Sequence, residues 1–222
     1  MNIPEDLRKY LYDEVVPRYS SFDAAHKEGH ALTVMEQAMK LLADRSDWLS
    51  EHPEADAIWK SEVDPSILLT AAACHDLGLS GGRERHHLDS GTIIREDRRL
   101  RRWFDENEIE IIAQAAEDHR ASGKNAPRSI YGMLVAEADR VIDGEVIILR
   151  TVQYGLKNYP WLDRSGHIER AIAHLREKYG YGGYLRLWVP WSDNALRLDA
   201  LRQVIADDDA VLRAVTNVWN LR

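Results

Sequence analysis

The sequence has a single cysteine, Cys74, among its 222 residues. One thiol cannot form an intrachain disulfide, so the fold does not depend on a disulfide framework. This cysteine usage is typical of a reducing compartment, and we expect a cytoplasmic protein. The first residues, Met1–Asp6, lack the basic and then apolar order of a signal peptide. No apolar run approaches the ~20 residues that a membrane-spanning helix needs, so we expect no membrane association.

The sequence also lacks an excess of basic residues. Its formal net charge is -8, which argues against general nucleic-acid binding, because such binding needs an extended basic surface. A local basic pocket for a small phosphate remains compatible with this charge. A hydrophobic fraction of 45% is ordinary for a globular protein, and the length fits one domain with at most a small appendage.

Apolar residues recur at helical spacing along most of the chain, and no segment has a clear partner strand. We therefore predict an all-α helical bundle over residues 1–158, with a helical extension over 159–222 packed on it. Pro65 is expected to open one helix, Ser20 or Ser21, Asn107 and Ser129 to cap others, and Pro17 to end the first. Predicted helices cover about 7–16, 21–42, 67–74, 84–103, 108–119, 130–141, 146–154, 165–179 and 196–218.

A run of small apolar residues, Ala71–Cys74, ends in the adjacent pair His75 and Asp76, and Gly78 follows as a plausible helix stop. Burying an imidazole beside a carboxylate is costly unless something satisfies both groups. A divalent metal would do so, since Asp offers a hard oxygen and His a borderline nitrogen. The alternative is a helix-terminal Asp beside a hydrogen-bonded His, without a metal.

Other potential ligands surround this pair in the sequence. Seven of the nine histidines lie between His26 and His119, and a helical bundle can project such residues from several helices to one centre. His86, next to His87, is expected to point about 100° away and into solvent. The predicted ligands, which suit Mn, Fe, Co, Ni, Zn or, less well, Mg, are His30, His75, Asp76, His87, His119 and Asp139.

This ordered set resembles the HD-domain superfamily of metal-dependent phosphohydrolases. The likeness rests on an early His, the His75-Asp76 doublet after small residues, and a later Asp, here His30 and Asp139. Ala71–Gly78 is similar to the core motif of the family, and Ala136–Val141 is similar to its closing segment. The resemblance covers about residues 20–155, and it implies that the predicted bundle is HD-domain-like.

Two further segments resemble the two-metal branches of this superfamily. His87–Gly91 is similar to their His-x-x-x-Gly step, and Glu117–His119 to the step before their loop. These branches include cyclic-dinucleotide phosphodiesterases and mixed-valence di-iron oxygenases. The Gly-Tyr-Pro tripeptide of the dinucleotide branch is absent, and Ala126–Arg128 stands nearby instead, which argues against cyclic di-GMP as substrate. Six ligands would hold two metal ions, which we expect. Four would hold one, and His87 and His119 would then line the substrate pocket.

The resemblance implies a metal-dependent phosphohydrolase acting on a small phosphate ester, of which a nucleotide or related monoester or diester fits best. Asp76 would ligate or bridge one or two divalent metal ions and orient the attacking water. Arg83, Arg120 and Lys124 are the cations nearest to the ligands in the sequence, and we predict that they bind phosphate, since guanidinium forks match phosphate oxygens. The partner implied is a small phosphorylated substrate, and a homodimer is left open.

Two other functions remain open. One is a mixed-valence di-iron oxygenase built on the same six ligands. The other is a non-catalytic module that binds metal or nucleotide without turnover.

Overall fold

The computed structural model of the chain describes residues 2–23, 26–120, 125–140 and 142–220. This part contains eleven α-helices, one π-helical and three 3-10 segments, and no strand, which confirms the predicted all-α class. The helices are α1 (Glu5–Tyr10), α2 (Glu28–Glu51), α3 (Ala57–Lys60), α4 (Pro65–Cys74), α5 (His86–Glu96), α6 (Glu106–Asp118), α7 (Ile130–Asp139), α8 (Gly144–Asn158), α9 (Arg164–Tyr179), α10 (Asn194–Ala206) and α11 (Asp208–Asn220).

Helix α4 lies at the centre of the N-terminal half of the chain. It packs against α2, α6 and α7, and every residue from Ser66 to Cys74 is buried. Its three consecutive alanines, Ala71–Ala73, are completely inaccessible, because only small side chains let several helices approach one helix from all sides. The residues that directly follow Cys74, His75 and Asp76, therefore lie in the protein interior.

Helices α4, α6 and α7 begin with side-chain caps that accept backbone N–H groups. Asp64 accepts from the amide of Ser66 at 2.6 Å, directly before Pro65 at the start of α4. Ser129 caps α7, as predicted. Helix α6 is capped by Asp105 in a reciprocal capping box with Glu108. The predicted cap at Asn107 was wrong, because Asp105 offers a carboxylate to two free amides of the first turn.

The N-terminal boundaries also differ from the prediction. Helical structure continues beyond Pro17 as the 3-10 segment Val16–Ser21, whose first turn accommodates the proline. Helix α2 begins only at Glu28, so His26 precedes it and does not share a helix face with His30. Farther along, α5 ends at Glu96, and the predicted C-terminal helix is divided at Asp207 into α10 and α11.

By its contacts the chain divides into two compact units. The first comprises Met1–Arg140 and the short segment Trp188–Ser192, and the second comprises Val141–Leu187 with Asp193–Arg222. This division falls earlier than the predicted boundary at residue 158, because α8 packs against α9 and α11. The assignment of domains to 1–158 and 159–222 stays a prediction.

The short segment Trp188–Ser192 is fixed within the first unit by hydrogen bonds and aromatic contacts. Trp191 donates its indole N–H to the carbonyl of Leu41 at 2.8 Å. Its ring centroid lies 5.1 Å from those of both Trp48 and Trp59. Buried Glu137 accepts from the amide of Trp188 at 2.8 Å.

In the second unit, α8, α9, α10 and α11 pack around buried apolar residues such as Leu175, Leu198 and Val211. Among all the residues that the structure describes, no helix is both long and apolar enough to cross a bilayer.

Candidate metal centre

The site begins where α4 ends. His75 is the C-cap of this helix and is completely buried, and Asp76 is 3% exposed. The Nδ1–H of His75 donates to the carbonyl of Ala72 at 2.7 Å. Since a carbonyl only accepts, this bond leaves the Nε2 lone pair of His75 free to bind a cation.

His30, His75 and Asp139 form one group of converging ligand atoms. The Nε2 atoms of His30 and His75 are 3.2 Å apart. Asp139 places Oδ1 3.2 Å from Nε2 of His30 and 3.8 Å from that of His75. The group thus joins α2, the end of α4 and the end of α7.

Asp76, His86 and His119 form a second group. The Nε2 atoms of His86 and His119 are 3.2 Å apart. Oδ1 of Asp76 lies 3.4 Å from the first and 3.3 Å from the second. Helix α5 supplies His86 as its first residue, and α6 supplies His119 as its C-cap. In the part of the chain that the structure describes, these are the two such groups.

Asp76 connects the two groups through its two carboxylate oxygens. Oδ1 faces His86 and His119, as described above. Oδ2 lies 3.6 Å from Nε2 of His30 and 3.5 Å from Nε2 of His75. A carboxylate placed in this way can act as a bridge between two cations.

The structure brings five of the six predicted ligands together and replaces the sixth. Nε2 of His86 lies in the second group, and its side chain is only 15% exposed, so the expectation that it points into solvent was wrong. His87 belongs to neither group, and its Nδ1 lies 3.5 Å from Nη1 of Arg120. His86 takes the place predicted for His87 because of where α5 begins. His86 is the first residue of this helix, and its ring turns back to donate from Nδ1 to the carbonyl of Arg83 at 2.8 Å.

The hydrogen bonds of the second group fit a metal site. His119 donates from Nδ1 to the carbonyl of Ala116 at 2.5 Å, as His86 does to Arg83. The two Nε2 atoms that face each other therefore need a proton or a cation beside them, since two bare lone pairs at this distance would repel. Histidine metal ligands commonly donate their second ring nitrogen to a carbonyl in this way. The donors present thus fit a divalent metal of the borderline class.

The carboxylates of the cluster are held in their charged form. Burial opposes the ionisation of Asp76, but the neighbouring imidazole of His75 and hydrogen bonds from His119 and His30 hold its pKa well below the ordinary value. Burial likewise opposes the ionisation of Asp139, and the hydrogen bond from His30 lowers its pKa. Two anions in one cluster, Asp76 buried and Asp139 partly buried, require positive charge beside them.

The negative charge of these carboxylates changes the pKa values of the nearby histidines. Despite their burial, hydrogen bonds to Asp139 and Asp76 raise the pKa of His30 to about 9, and Asp76 raises the pKa of His119. Burial and the adjacent His119 lower the pKa of His86. Protons on the imidazoles thus compensate the carboxylates in the absence of a cation, and metal ions would replace those protons.

Two of the three predicted phosphate-binding cations, Arg83 and Arg120, lie in loops beside the cluster. Arg83, with a side chain 65% exposed, contacts Asp23 at 3.3 Å and Nε2 of His26 at 3.5 Å. The ring of His26 in turn lies 5.5 Å from that of His30. Arg120 donates to the carbonyl of Glu84. Lys124 lies outside the described residues.

The family model of the HD domain matches residues 28–142. The matched region contains all the ligands described above and covers just over half of the chain. The chain therefore belongs to the HD-domain family. No curated protein and no solved structure shows significant similarity to it.

Proposed function

We propose that this protein is a metal-dependent phosphohydrolase that hydrolyses a small phosphate ester with two divalent metal ions. The observation that carries the proposal is the arrangement of Asp76 between two groups, each with two imidazoles. The HD-domain family to which the chain belongs, a family of metal-dependent phosphohydrolases, supports the same class of reaction.

Each group would hold one ion. His30, His75 and Asp139 would bind the first, His86 and His119 would bind the second, and Asp76 would contact both. Bound divalent ions lower the pKa of water from about 15.7 towards about 7 and stabilise charge on phosphoryl oxygens. The backbone carbonyls of Ala72, Arg83 and Ala116 fix the orientation of three of the rings.

The loop cations would bind the phosphate. Arg83 has an exposed guanidinium that can exchange its contact with Asp23 for phosphate oxygens, which Arg binds in a bidentate manner. Arg120 would help to keep His87 neutral, since burial and the Arg120 charge lower the pKa of His87 to about 4. We assign His87 to the wall of the pocket in place of a ligand role. Lys124 stays a further candidate from the sequence.

The test is hydrolysis by the purified protein of a panel of nucleotides and a chromogenic phosphodiester, assayed separately with Mn²⁺, Fe²⁺, Co²⁺, Ni²⁺, Zn²⁺ and Mg²⁺. We expect phosphate release that depends on the added metal and is abolished by Asp76→Asn. This variant removes the bridging anion while it preserves the size of the side chain. Absence of hydrolysis with every metal would contradict the proposal.

A second candidate is a mixed-valence di-iron oxygenase. Each group contains two His and one carboxylate, a donor set that also suits non-haem iron in oxygenases. Anaerobic purification with iron, followed by partial oxidation and EPR spectroscopy, separates the two functions. A coupled mixed-valence signal together with oxygen consumption would favour the oxygenase, whereas metal-dependent phosphate release without that signal favours the hydrolase.

A further inference from the structure

Tyr19 places its hydroxyl against the backbone that carries the two central ligands. It lies in the 3-10 segment Val16–Ser21 and is completely buried. Its hydroxyl donates to the carbonyl of Ala73 at 2.8 Å and accepts from the amide of Asp76 at 3.2 Å. One oxygen atom therefore connects the last turn of α4 to the residue that joins the two ligand groups.

Both of these backbone groups lie at the C-terminal end of α4. The last carbonyls of an α-helix lack intrahelical partners. The chain bends at Asp76, whose φ and ψ are -109° and 7°. Both groups are buried, where an unpaired polar atom is costly. A hydroxyl can donate and accept at once, which a phenylalanine ring at the same position cannot do.

The aromatic ring of Tyr19 adds a packing contact on the same ligands. Its centroid lies 6.2 Å from that of His75 and 5.2 Å from that of Phe22. The ring thus supports the His75 imidazole while the hydroxyl fixes the backbone of Asp76. Tyr19 also precedes residues 28–142, which the family model matches.

We infer that Tyr19 is a positioning residue for the metal centre. By fixing the peptide that connects His75 and Asp76, it sets the direction of both ligand side chains, although it touches no metal ion itself. This inference rests on the proposed function, because it requires the cluster to bind metal. It assigns to the N-terminal segment, which lies before the matched region, a role in organising the site.

The experiment compares Mn²⁺ binding to the full-length wild type, Tyr19→Phe and Tyr10→Phe, with affinity measured by titration. Tyr10 is a matched control, since it is a buried tyrosine of the same N-terminal region whose hydroxyl donates to Asp97, away from the ligands. We expect Tyr19→Phe to weaken Mn²⁺ binding by about 10–100-fold, as is typical when the hydrogen-bonded support of a metal ligand is removed. Tyr10→Phe is expected to keep the wild-type affinity.

A second readout separates positioning from simple stabilisation. Tyr19→Phe is expected to show a smaller Mn²⁺-induced rise in Tm, whereas Tyr10→Phe is expected to lower Tm in both states and keep the full rise. Equal Mn²⁺ affinities of Tyr19→Phe and the wild type would overturn this inference alone. Failure of the wild type to bind any divalent metal would overturn the proposed function as well.

A third measurement needs no variant and applies even where Tyr19→Phe does not fold. Hydrogen exchange of the Asp76 amide in the wild type is expected to be slow, because this amide donates to the buried Tyr19 hydroxyl. Exchange as fast as that of a solvent-exposed amide would overturn the inference.

Discussion

The Nε2 atoms of His86 and His119 face each other at 3.2 Å, and both rings use Nδ1 to donate to backbone carbonyls. Two bare lone pairs at this distance would repel, so the two Nε2 atoms need a proton or a cation beside them, and Oδ1 of Asp76 lies within 3.4 Å of each. A divalent cation bound by both rings would meet this need. The relationship favours His86 over the adjacent His87 as a ligand, and several expectations follow from it.

The first prediction concerns His86 and His87, which are adjacent in the sequence but whose side chains point in different directions. We predict that His86→Ala lowers the metal content from two ions per chain to one, because the second group loses an imidazole. His87→Ala should retain both ions, since its ring lies beside Arg120. Elemental analysis after equilibration with Mn²⁺ and removal of free metal measures this. The opposite pattern would restore His87 as the ligand.

The second concerns Gly78, which allows the turn after Asp76 to approach α5 closely. A Cβ at this position would collide with the carbonyl of His86 and lie 2.6 Å from the amide of Ser90. We predict that Gly78→Ala destabilises the protein by about 1–3 kcal/mol, as overpacking typically does, and weakens metal binding by displacing His86. Chemical denaturation with and without Mn²⁺ measures both effects.

Gly29→Ala is the control for this substitution. Gly29 lies in the first turn of α2, and nothing stands within 4 Å of the added Cβ. Alanine is favoured over glycine in helices by up to about 1 kcal/mol, so this variant should be as stable as the wild type or more stable. Equal destabilisation by Gly78→Ala and Gly29→Ala would show that the close approach of Gly78 to α5 is not what matters.

The third prediction concerns substrate binding by Arg83. We expect Arg83→Gln to raise KM for the phosphorylated substrate by roughly tenfold, equivalent to about 1.4 kcal/mol, with kcat and metal content little changed. An exposed cation that binds substrate equally in the ground and transition states has this kinetic signature. Arg8→Gln, which removes an equal charge at an exposed position of α1, should leave KM unchanged. A collapse of kcat with unchanged KM would place Arg83 elsewhere in the reaction.

The fourth prediction concerns acid stability and the ion pair that joins α5 and α6. Arg95 binds both oxygens of Glu110 at 2.7 and 2.9 Å, and this contact, with one from Gln114, lowers the pKa of Glu110 to about 2. The folded state therefore binds this proton less readily than the unfolded state. The stabilisation is complete above about pH 4.3, the ordinary pKa of Glu, and is lost as the pH falls towards about 2.

As the pH falls through this window, Arg95→Gln should lose less unfolding free energy than the wild type. The difference should be less than about 1 kcal/mol, because the pair is partly exposed. Arg102→Gln is the matched control, because it removes a long contact of 3.6 Å to Asp6 and a cation–π contact with Trp103 but none with Glu110. Urea unfolding at a series of pH values from 2 to 6 makes the comparison. Parallel pH profiles of Arg95→Gln and the wild type would refute the assignment.

The parts of the site that sequence patterns predicted are those set by local features. The helix that ends in His75 and Asp76 follows from Pro65 and a run of small residues, and the structure confirms its bounds at Pro65–Cys74. The convergence of His30, His119 and Asp139 on this pair also agrees with the order of the family motif. These features depend on few residues that lie close together in the sequence.

The parts that sequence patterns did not predict depend on contacts between distant residues. The choice of His86 over His87 follows from where α5 begins, after a turn in which Gly82 adopts a φ of +105°. Helical periodicity cannot fix that register, because the preceding turn is irregular. Sequence patterns did not predict the role of Tyr19 either, because its hydroxyl forms hydrogen bonds with residues 54 and 57 positions away.

The central claim is that the His and Asp cluster binds two divalent metal ions. The most direct measurement is Mn²⁺ stoichiometry, determined by titration of metal-free wild-type protein and of Asp76→Asn. We predict two ions per chain in the wild type and loss of high-affinity binding in Asp76→Asn, because Asp76 contacts both groups. Equal metal binding by the two proteins, or none by the wild type, would contradict the account.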